Sequence, residues 1–200
     1  MGGGAHRACS VILYLHGFNS GPQSTKAQVL KRALEERGLG ARFVCPQLPH
    51  RPDDAIALVE REIARHPPGA VTLVGSSLGG FYATHLAEKL ALRAVLINPA
   101  VKPQRDLESY LGIQRNLYGG EEYELTRGHI DAWRRLDTPT IHPDRYLLLV
   151  ETGDEVLDYR EAVWKYTGCR QIVVEGGDHS LRSFSEHLPL ILEFAGLARL

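Results

Sequence analysis

An open, mostly parallel, doubly wound α/β sheet of six strands is the architecture that the sequence predicts, on three observations. Six short runs rich in Val, Ile and Leu are apolar almost throughout, as strands covered on both faces must be. They are VILYL (11–15), ARFVC (41–45), VTLV (71–74), RAVLI (93–97), YLLLV (146–150) and QIVV (171–174). Between them the apolar residues recur at helical spacing. Strand and helix alternate along most of the chain, and parallel strands require such crossovers.

The elements follow in order. MGGGAHRACS has no apolar signal core and misses the myristoylation pattern, because His6 stands where Ser or Thr is needed. Residues 1–10 are therefore expected to form a flexible leader. After the first strand, Ala27, Leu30, Ala33 and Leu34 share one helical face, with Thr25 and Gln28 spaced as a capping box and Gly38 as the stop. Ile56, Val59 and Ile63 form a second stripe. Leu78, Tyr82, Leu86 and Leu90 form a third, directly after the third strand. Tyr159, Ala162, Val163 and Tyr166 form a fourth, opened by Asp158 and Glu161. The last stripe is Phe184, Leu188, Ile191, Leu192 and Ala195, opened by Ser183 and Glu186. Residues 98–140 break the alternation: polar and interrupted by Pro99, Pro103, Gly112, Gly119, Gly120, Gly128 and Pro139, they read as a cap-like insertion over one edge of the sheet with only short helical pieces.

Bulk properties exclude several function classes. Two hundred residues with 44% hydrophobic content support one sizeable core, so a single domain over 1–200 is expected. The net charge of −1 is spread evenly, which gives no electrostatic footprint for nucleic acid and no polybasic arm for a membrane surface. No apolar run reaches the roughly 18–20 residues that span a bilayer. Cys9, Cys45 and Cys169 are odd in number and far apart, fitting neither a disulfide framework nor a metal site. A cytoplasmic setting is the expectation.

The chemistry-bearing stretch is VTLVGSSLGGFYATHLAEKL, residues 71–90. Gly75-Ser76-Ser77-Leu78-Gly79 fits G-x-S-x-G between a strand and a helix, the setting of a nucleophile elbow. The turn is so sharp that a Cβ two residues before or after the nucleophile would collide, which Gly75 and Gly79 avoid. Only Ser77 is flanked symmetrically, so it is the candidate nucleophile and Ser76 helps hold the turn. Nucleotide-binding glycine patterns are absent from the sequence.

A serine hydroxyl needs a base, and the base needs an acid that orients it. On this fold the order is Ser, then Asp or Glu, then His, each at the C-terminal end of a strand. ETGDEVLDYR follows the fifth strand and EGGDHSLRS the sixth, so Asp154 and His179 stand in that order. Asp158 suits a helix cap better; Glu155 and Asp178 are the other rivals. His85 and His187 fall within helices. His50, His66, His129 and His142 fall in loops or the insertion without metal-ligand spacing, so no metal is expected. For the oxyanion, LHGFNSGPQSTKA after the first strand offers a turn with free N–H groups. The backbone N–H groups of Phe18 and Leu78 are the expected donors, with His16 and Gly17 supporting the loop. Asn19 or Ser20 could reach substrate.

Together HGFNS, GSSLGG, INPA, TGDEVLDYR and EGGDH resemble the small YqiA-type esterases of the α/β-hydrolase superfamily, across residues 11 to 197. The YLG and YGGEEYEL pieces of the insertion belong to the likeness. The resemblance implies a compact α/β-hydrolase fold lacking the first two strands of the full fold. It also implies cleavage of short acyl esters or thioesters by Ser77, Asp154 and His179 without a cofactor. The same triad could serve acyl transfer, and a binding protein could carry the fold with idle machinery. Oligomeric state is not readable. Tyr110, Tyr118, Tyr123 and Trp133 could either wall the substrate site or pack the insertion onto the sheet.

Overall fold

In the computed structural model, which describes residues 10–198, all six expected strands are present in one parallel sheet. The expected leader, apart from Ser10, and Cys9 lie outside the described residues. The sheet comprises β1 (Val11–Leu15), β2 (Phe43–Val44), β3 (Val71–Ser76), β4 (Arg93–Ile97), β7 (Tyr146–Glu151) and β8 (Arg170–Val174), in the order β2-β1-β3-β4-β7-β8. A separate two-stranded antiparallel sheet holds β5 (Gly112–Arg115) and β6 (Glu122–Leu125).

The pleat explains why the strands are apolar throughout. Leu13 and Leu15 of β1 face one core cluster, and Ile12 and Tyr14 face the other. Leu148 and Val150 of β7 join the first, Leu147 and Leu149 the second. One face is covered by α2 (Pro52–Ile63), α3 (Leu78–Leu90), α5 (Arg127–Leu136) and α6 (Tyr159–Lys165). The other is covered by α1 (Thr25–Glu35) and α7 (Leu188–Phe194). Each residue of β1, β3 and β7 thus buries its side chain whichever way it points, worth about 1.5–3 kcal/mol for a Leu or Val.

Four local expectations are corrected. The 41–45 strand shrinks to two residues, because Gly40–Arg42 form a 3-10 turn and only Phe43 and Val44 pair with β1. Helix α1 takes Ser24 as its N-cap with no side-chain cap bond, and Gln28 donates to the Pro22 carbonyl instead (2.8 Å). The last stripe splits into a 3-10 stretch (Arg182–His187) followed by α7, where Pro189 falls in the first turn; Ser183 caps nothing and bonds Glu151. Finally, the segment 98–140 is more ordered than expected. Besides the short α4 (Pro103–Asp106) it folds the β5–β6 hairpin and the ten-residue α5. Thr126 and His129 close a reciprocal capping box on α5, a pairing hidden by histidine standing where Glu or Gln is usual. Ile130, Trp133 and Leu136 bury its inner face, and the Trp133 indole N–H donates to the Tyr82 hydroxyl at 2.9 Å.

Candidate active site

The strand ends on one rim of the sheet gather the candidate residues. At the end of β3 the chain turns into α3 so abruptly that Ser77, the N-cap, takes φ 53° and ψ −121°. A Cβ on Gly75 would run into the Gly79 backbone; one on Gly79 would run into the Leu15 carbonyl at the end of β1. The second glycine thus makes room for the neighbouring strand rather than for Gly75. Gly80, not anticipated as part of the turn, would place a Cβ 2.6 Å from Pro99. Ser76 is buried as the last residue of β3. Of five non-glycine residues with positive φ among those described, four surround this rim: Asn19, Ser77, Asn98 and Leu181. Strain of that kind persists only where surrounding contacts enforce it.

His179 lies 102 residues from Ser77 in the chain, yet its Nε2 is 3.1 Å from the serine Oγ. Its Nδ1 lies 2.9 and 2.8 Å from the two carboxylate oxygens of Asp154. A ring nitrogen facing a carboxylate carries the proton, which leaves Nε2 as the acceptor for the serine hydroxyl. Asp154 sits just beyond β7, where its Oδ1 also accepts from the Val156 and Leu157 N–H groups, both at 2.9 Å. Burial works to raise the Asp154 pKa, but the bonds from His179 and from those amides outweigh it and leave it below the usual range. The carboxylate therefore stays charged.

The rivals have other partners. Asp158 caps α6 by accepting from the Arg160 N–H. Glu155 accepts from the backbone N–H of His179 at 3.0 Å. Asp178 accepts from the Ser180 hydroxyl, the Arg182 guanidinium and the Ser180 N–H, which hold its pKa down at about 2. His85 bonds the Leu136 carbonyl and His187 the Ser183 hydroxyl. His50 bonds His129 at 3.1 Å. No group of three or more His, Cys, Asp or Glu among the described residues could hold a metal ion.

Two residues that the sequence reading did not single out hold the histidine loop. Glu151, the last residue of β7 and 1% exposed, accepts from the N–H groups of Asp178, Arg182 and Ser183 and from the Ser183 hydroxyl, at 2.7–3.0 Å. Burial works to raise its pKa, yet these donors leave it lowered, so it is a buried anion stabilised by amide dipoles. Gly177 can approach only because it lacks a Cβ, which would strike the Glu151 carboxylate. Asn98 donates to the Asp178 and His179 carbonyls (3.2 and 3.1 Å) and accepts from the Glu151 N–H (3.1 Å). A carboxylate at a buried strand end was the available signal for Glu151; INPA at the end of β4 was the one for Asn98.

On the opposite side, Gly17 brings the loop after β1 against the elbow: a Cβ there would lie 3.2 Å from the Ser77 Cβ. The N–H groups of Phe18 and Leu78 have no backbone acceptor among the described residues, and both residues line the same cleft as Ser77. His16 is buried; its Nδ1 faces the Gly17 carbonyl (3.0 Å) and its Nε2 accepts from the Leu48 N–H (3.0 Å). Burial lowers its pKa. These contacts make it a neutral brace for the loop. The Asn19 side chain accepts from the Tyr123 hydroxyl (2.6 Å) and donates to Gln114 (3.0 Å), so it is committed to the β5–β6 hairpin. Ser20 lines the cleft. Of the four aromatics of the insertion, Tyr110 and Tyr118 line the cleft, while Tyr123 and the fully buried Trp133 pack. The cleft measures about 840 Å³ and contains both Ser77 and His179 in its walls.

Comparison with known proteins bears on the family and the fold. The sequence model of the uncharacterised protein family UPF0227 matches residues 11–196. A UPF0227 protein of Yersinia pseudotuberculosis is 27% identical over 192 residues, covering 94% of this chain and 99% of that one. Among solved structures, a protein of Agrobacterium vitis S4 is similar with a TM-score of 0.72 and 19% identity, covering 96% of this chain and 89% of that one. The esterase domain of a Rhodothermus marinus protein is similar with a TM-score of 0.65 and 16% identity, covering 94% and 87%. Est1E from Butyrivibrio proteoclasticus is similar with a TM-score of 0.62 and 15% identity, covering 94% and 86%. The architecture is the compact α/β-hydrolase fold expected from the sequence. No helix among the described residues is long and apolar enough to cross a membrane.

Proposed function

We propose that this chain, which belongs to the UPF0227 family, is a serine hydrolase that cleaves carboxylic esters through an acyl-enzyme. One observation carries the reading: a single imidazole lies 3.1 Å from the Ser77 hydroxyl on one side and 2.8 Å from the Asp154 carboxylate on the other. The likeness in fold to the Rhodothermus esterase domain and to Est1E lends it support at the level of architecture.

In the first half-reaction, Ser77 Oγ bonds to the ester carbonyl carbon as its proton passes to His179 Nε2. Asp154 stabilises the imidazolium through Nδ1–H. The carbonyl oxygen becomes an anion, held by the Phe18 and Leu78 N–H groups and favoured by the N-terminus of α3 behind it. When the bond to the leaving oxygen breaks, His179 gives its proton to that oxygen and the alcohol departs. Water then attacks the acyl-enzyme, losing a proton to His179 and releasing the acid and Ser77. Every proton and electron pair is accounted for by these three side chains, substrate and water, and a thioester would follow the same steps.

Both the ester reading and the alternative of an idle fold meet one test. The wild-type protein should be labelled by a fluorophosphonate probe and should hydrolyse p-nitrophenyl butyrate. Ser77→Ala should lose labelling and about 10⁴-fold or more in kcat/KM. Wild-type activity surviving in Ser77→Ala would overturn the assignment; an unlabelled, inactive wild type would favour the idle fold.

A further inference from the structure

The cleft that exposes Ser77 carries a cation whose setting the triad chemistry does not explain. Lys26 lies in the first turn of α1, a turn without an acidic residue, where a positive charge opposes the helix dipole. It lines the same cleft as Ser77 and His179. Lys31, Lys89 and Lys165 stand 3.7, 2.6 and 3.6 Å from a carboxylate, whereas Lys26 forms no ion pair among the described residues, nor does the exposed Lys102, which lies outside the cleft. Its ammonium donates to one neutral acceptor, the Ser180 carbonyl at 2.9 Å, next in the chain to His179. Burial, only partly offset by the more distant Asp178, Asp154 and Glu151, lowers its pKa. Three N–H donors and one carbonyl leave hydrogen-bonding capacity turned to the cleft.

The other charged side chains of the cleft wall are already engaged. Arg182 pairs with Asp178 at 2.6 Å, Asp106 with Arg105 at 2.6 Å, and Glu155 accepts from the His179 N–H at 3.0 Å. Much of the remaining wall is apolar, including Phe18, Val29, Leu107, Leu117, Val156 and Phe184. A charge in such surroundings attracts an opposite charge more strongly than it would on an open surface.

We propose that Lys26 receives an anionic group of the substrate, so that the preferred esters carry a negative charge on the acyl or the leaving side. This rests on the hydrolase reading above and names the substrate class of the same site. The anion would sit against the ammonium while the apolar wall covers the chain between it and the ester carbon.

The test compares charged and neutral esters of matched shape. Mono-p-nitrophenyl adipate against p-nitrophenyl hexanoate places the charge on the acyl side. 4-Carboxyphenyl butyrate against 4-carbamoylphenyl butyrate places it on the leaving side. The readout is the ratio of kcat/KM, charged over neutral, so any change in the His179 loop cancels. In the wild type one pair should give a ratio of about 10 or more, consistent with a charge-assisted contact. Lys26→Met should bring that ratio down towards one, and Lys26→Arg should keep most of it. Wild-type ratios at or below one in both pairs, or a ratio unchanged in Lys26→Met, would overturn the proposal. If Ser77 takes the fluorophosphonate label and the ratios are flat, only the Lys26 assignment falls. If Ser77 neither labels nor turns over any ester, the hydrolase reading falls and takes this one with it.

Discussion

The elbow at the end of β3 and the loop that carries His179 beyond β8 reach the same cleft by opposite means. The elbow is built from its own sequence: Gly75, Gly79 and Gly80 clear space against the turn itself, β1 and Pro99, and Ser77 is held in its strained conformation within that crowding. The histidine loop is held by side chains distant in the chain, with Glu151 accepting four hydrogen bonds and Asn98 donating two. The comparison teaches that Ser77 is placed by backbone packing and backbone hydrogen bonds, its N–H donating to the Ile97 carbonyl and its carbonyl accepting from the Ala100 N–H (both 3.0 Å), whereas His179 rests on a scaffold of buried polar side chains.

The strongest challenge to that contrast is Gly79→Ala. Backbone of β1 occupies the space of the new methyl and has no rotamer with which to yield. We expect a loss of about 4 kcal/mol or more and a melting temperature lower by about 10 °C or more, read by calorimetry. A fully stable Gly79→Ala would mean that the elbow is not sterically set. Next in size is Glu151→Leu, which strands several buried donors at about 1–3 kcal/mol each before relaxation. It should lower kcat/KM about 100-fold, while Glu151→Gln, which keeps the oxygen facing the Asp178 and Arg182 N–H groups and can donate to the Ser183 hydroxyl but sets an amide nitrogen against the Ser183 N–H, should recover part of that loss. Equal damage from both would show that the loop needs both carboxylate oxygens as acceptors.

A pH experiment sharpens the same distinction. Glu151 and Asp154 have pKa values below their ordinary range in the folded protein, so they bind fewer protons there than in the unfolded chain. Their stabilisation is complete above the unfolded carboxylate range of about 4 and is lost as pH falls through the folded values. The urea midpoint should therefore drop below about pH 5, and less steeply in Glu151→Gln. Smallest of all should be Tyr123→Phe, which removes one hydrogen bond to Asn19 in the loop that carries Phe18. About 1 kcal/mol of stability and a several-fold fall in kcat/KM are expected, without change in fluorophosphonate selectivity for Ser77.

The same contrast explains what could be read from the sequence. The elbow was legible because its requirement is local: glycines at fixed offsets from a serine, between an apolar run and an amphipathic one. The four inner strands were legible because burial on both faces leaves a continuous apolar signature, while β2 and β8, at the edges, are only partly buried. Asp154 and His179 could be placed by strand-end logic and chain order. Glu151 left one signal, a carboxylate closing the apolar run YLLLVE, and that signal alone does not separate a carboxylate that gathers amides from one that ends a strand in water. The β5–β6 hairpin was hidden because its four-residue strands are half exposed and mostly polar, giving neither a long apolar run nor a sustained alternation. Nothing in the sequence around Lys26 signals that the fold places it beside Ser180.

The bonds from Asn19 to Tyr123 and Gln114 bear on engineering. They bolt the hairpin to the turn just behind Phe18. A chimaera that borrows the hairpin from a relative would therefore import a new anchor for that turn, and, under the proposed mechanism, a change in which molecules enter would also shift the Phe18 N–H assigned to the substrate carbonyl. Successful transplants should carry the partner of residue 19 with them.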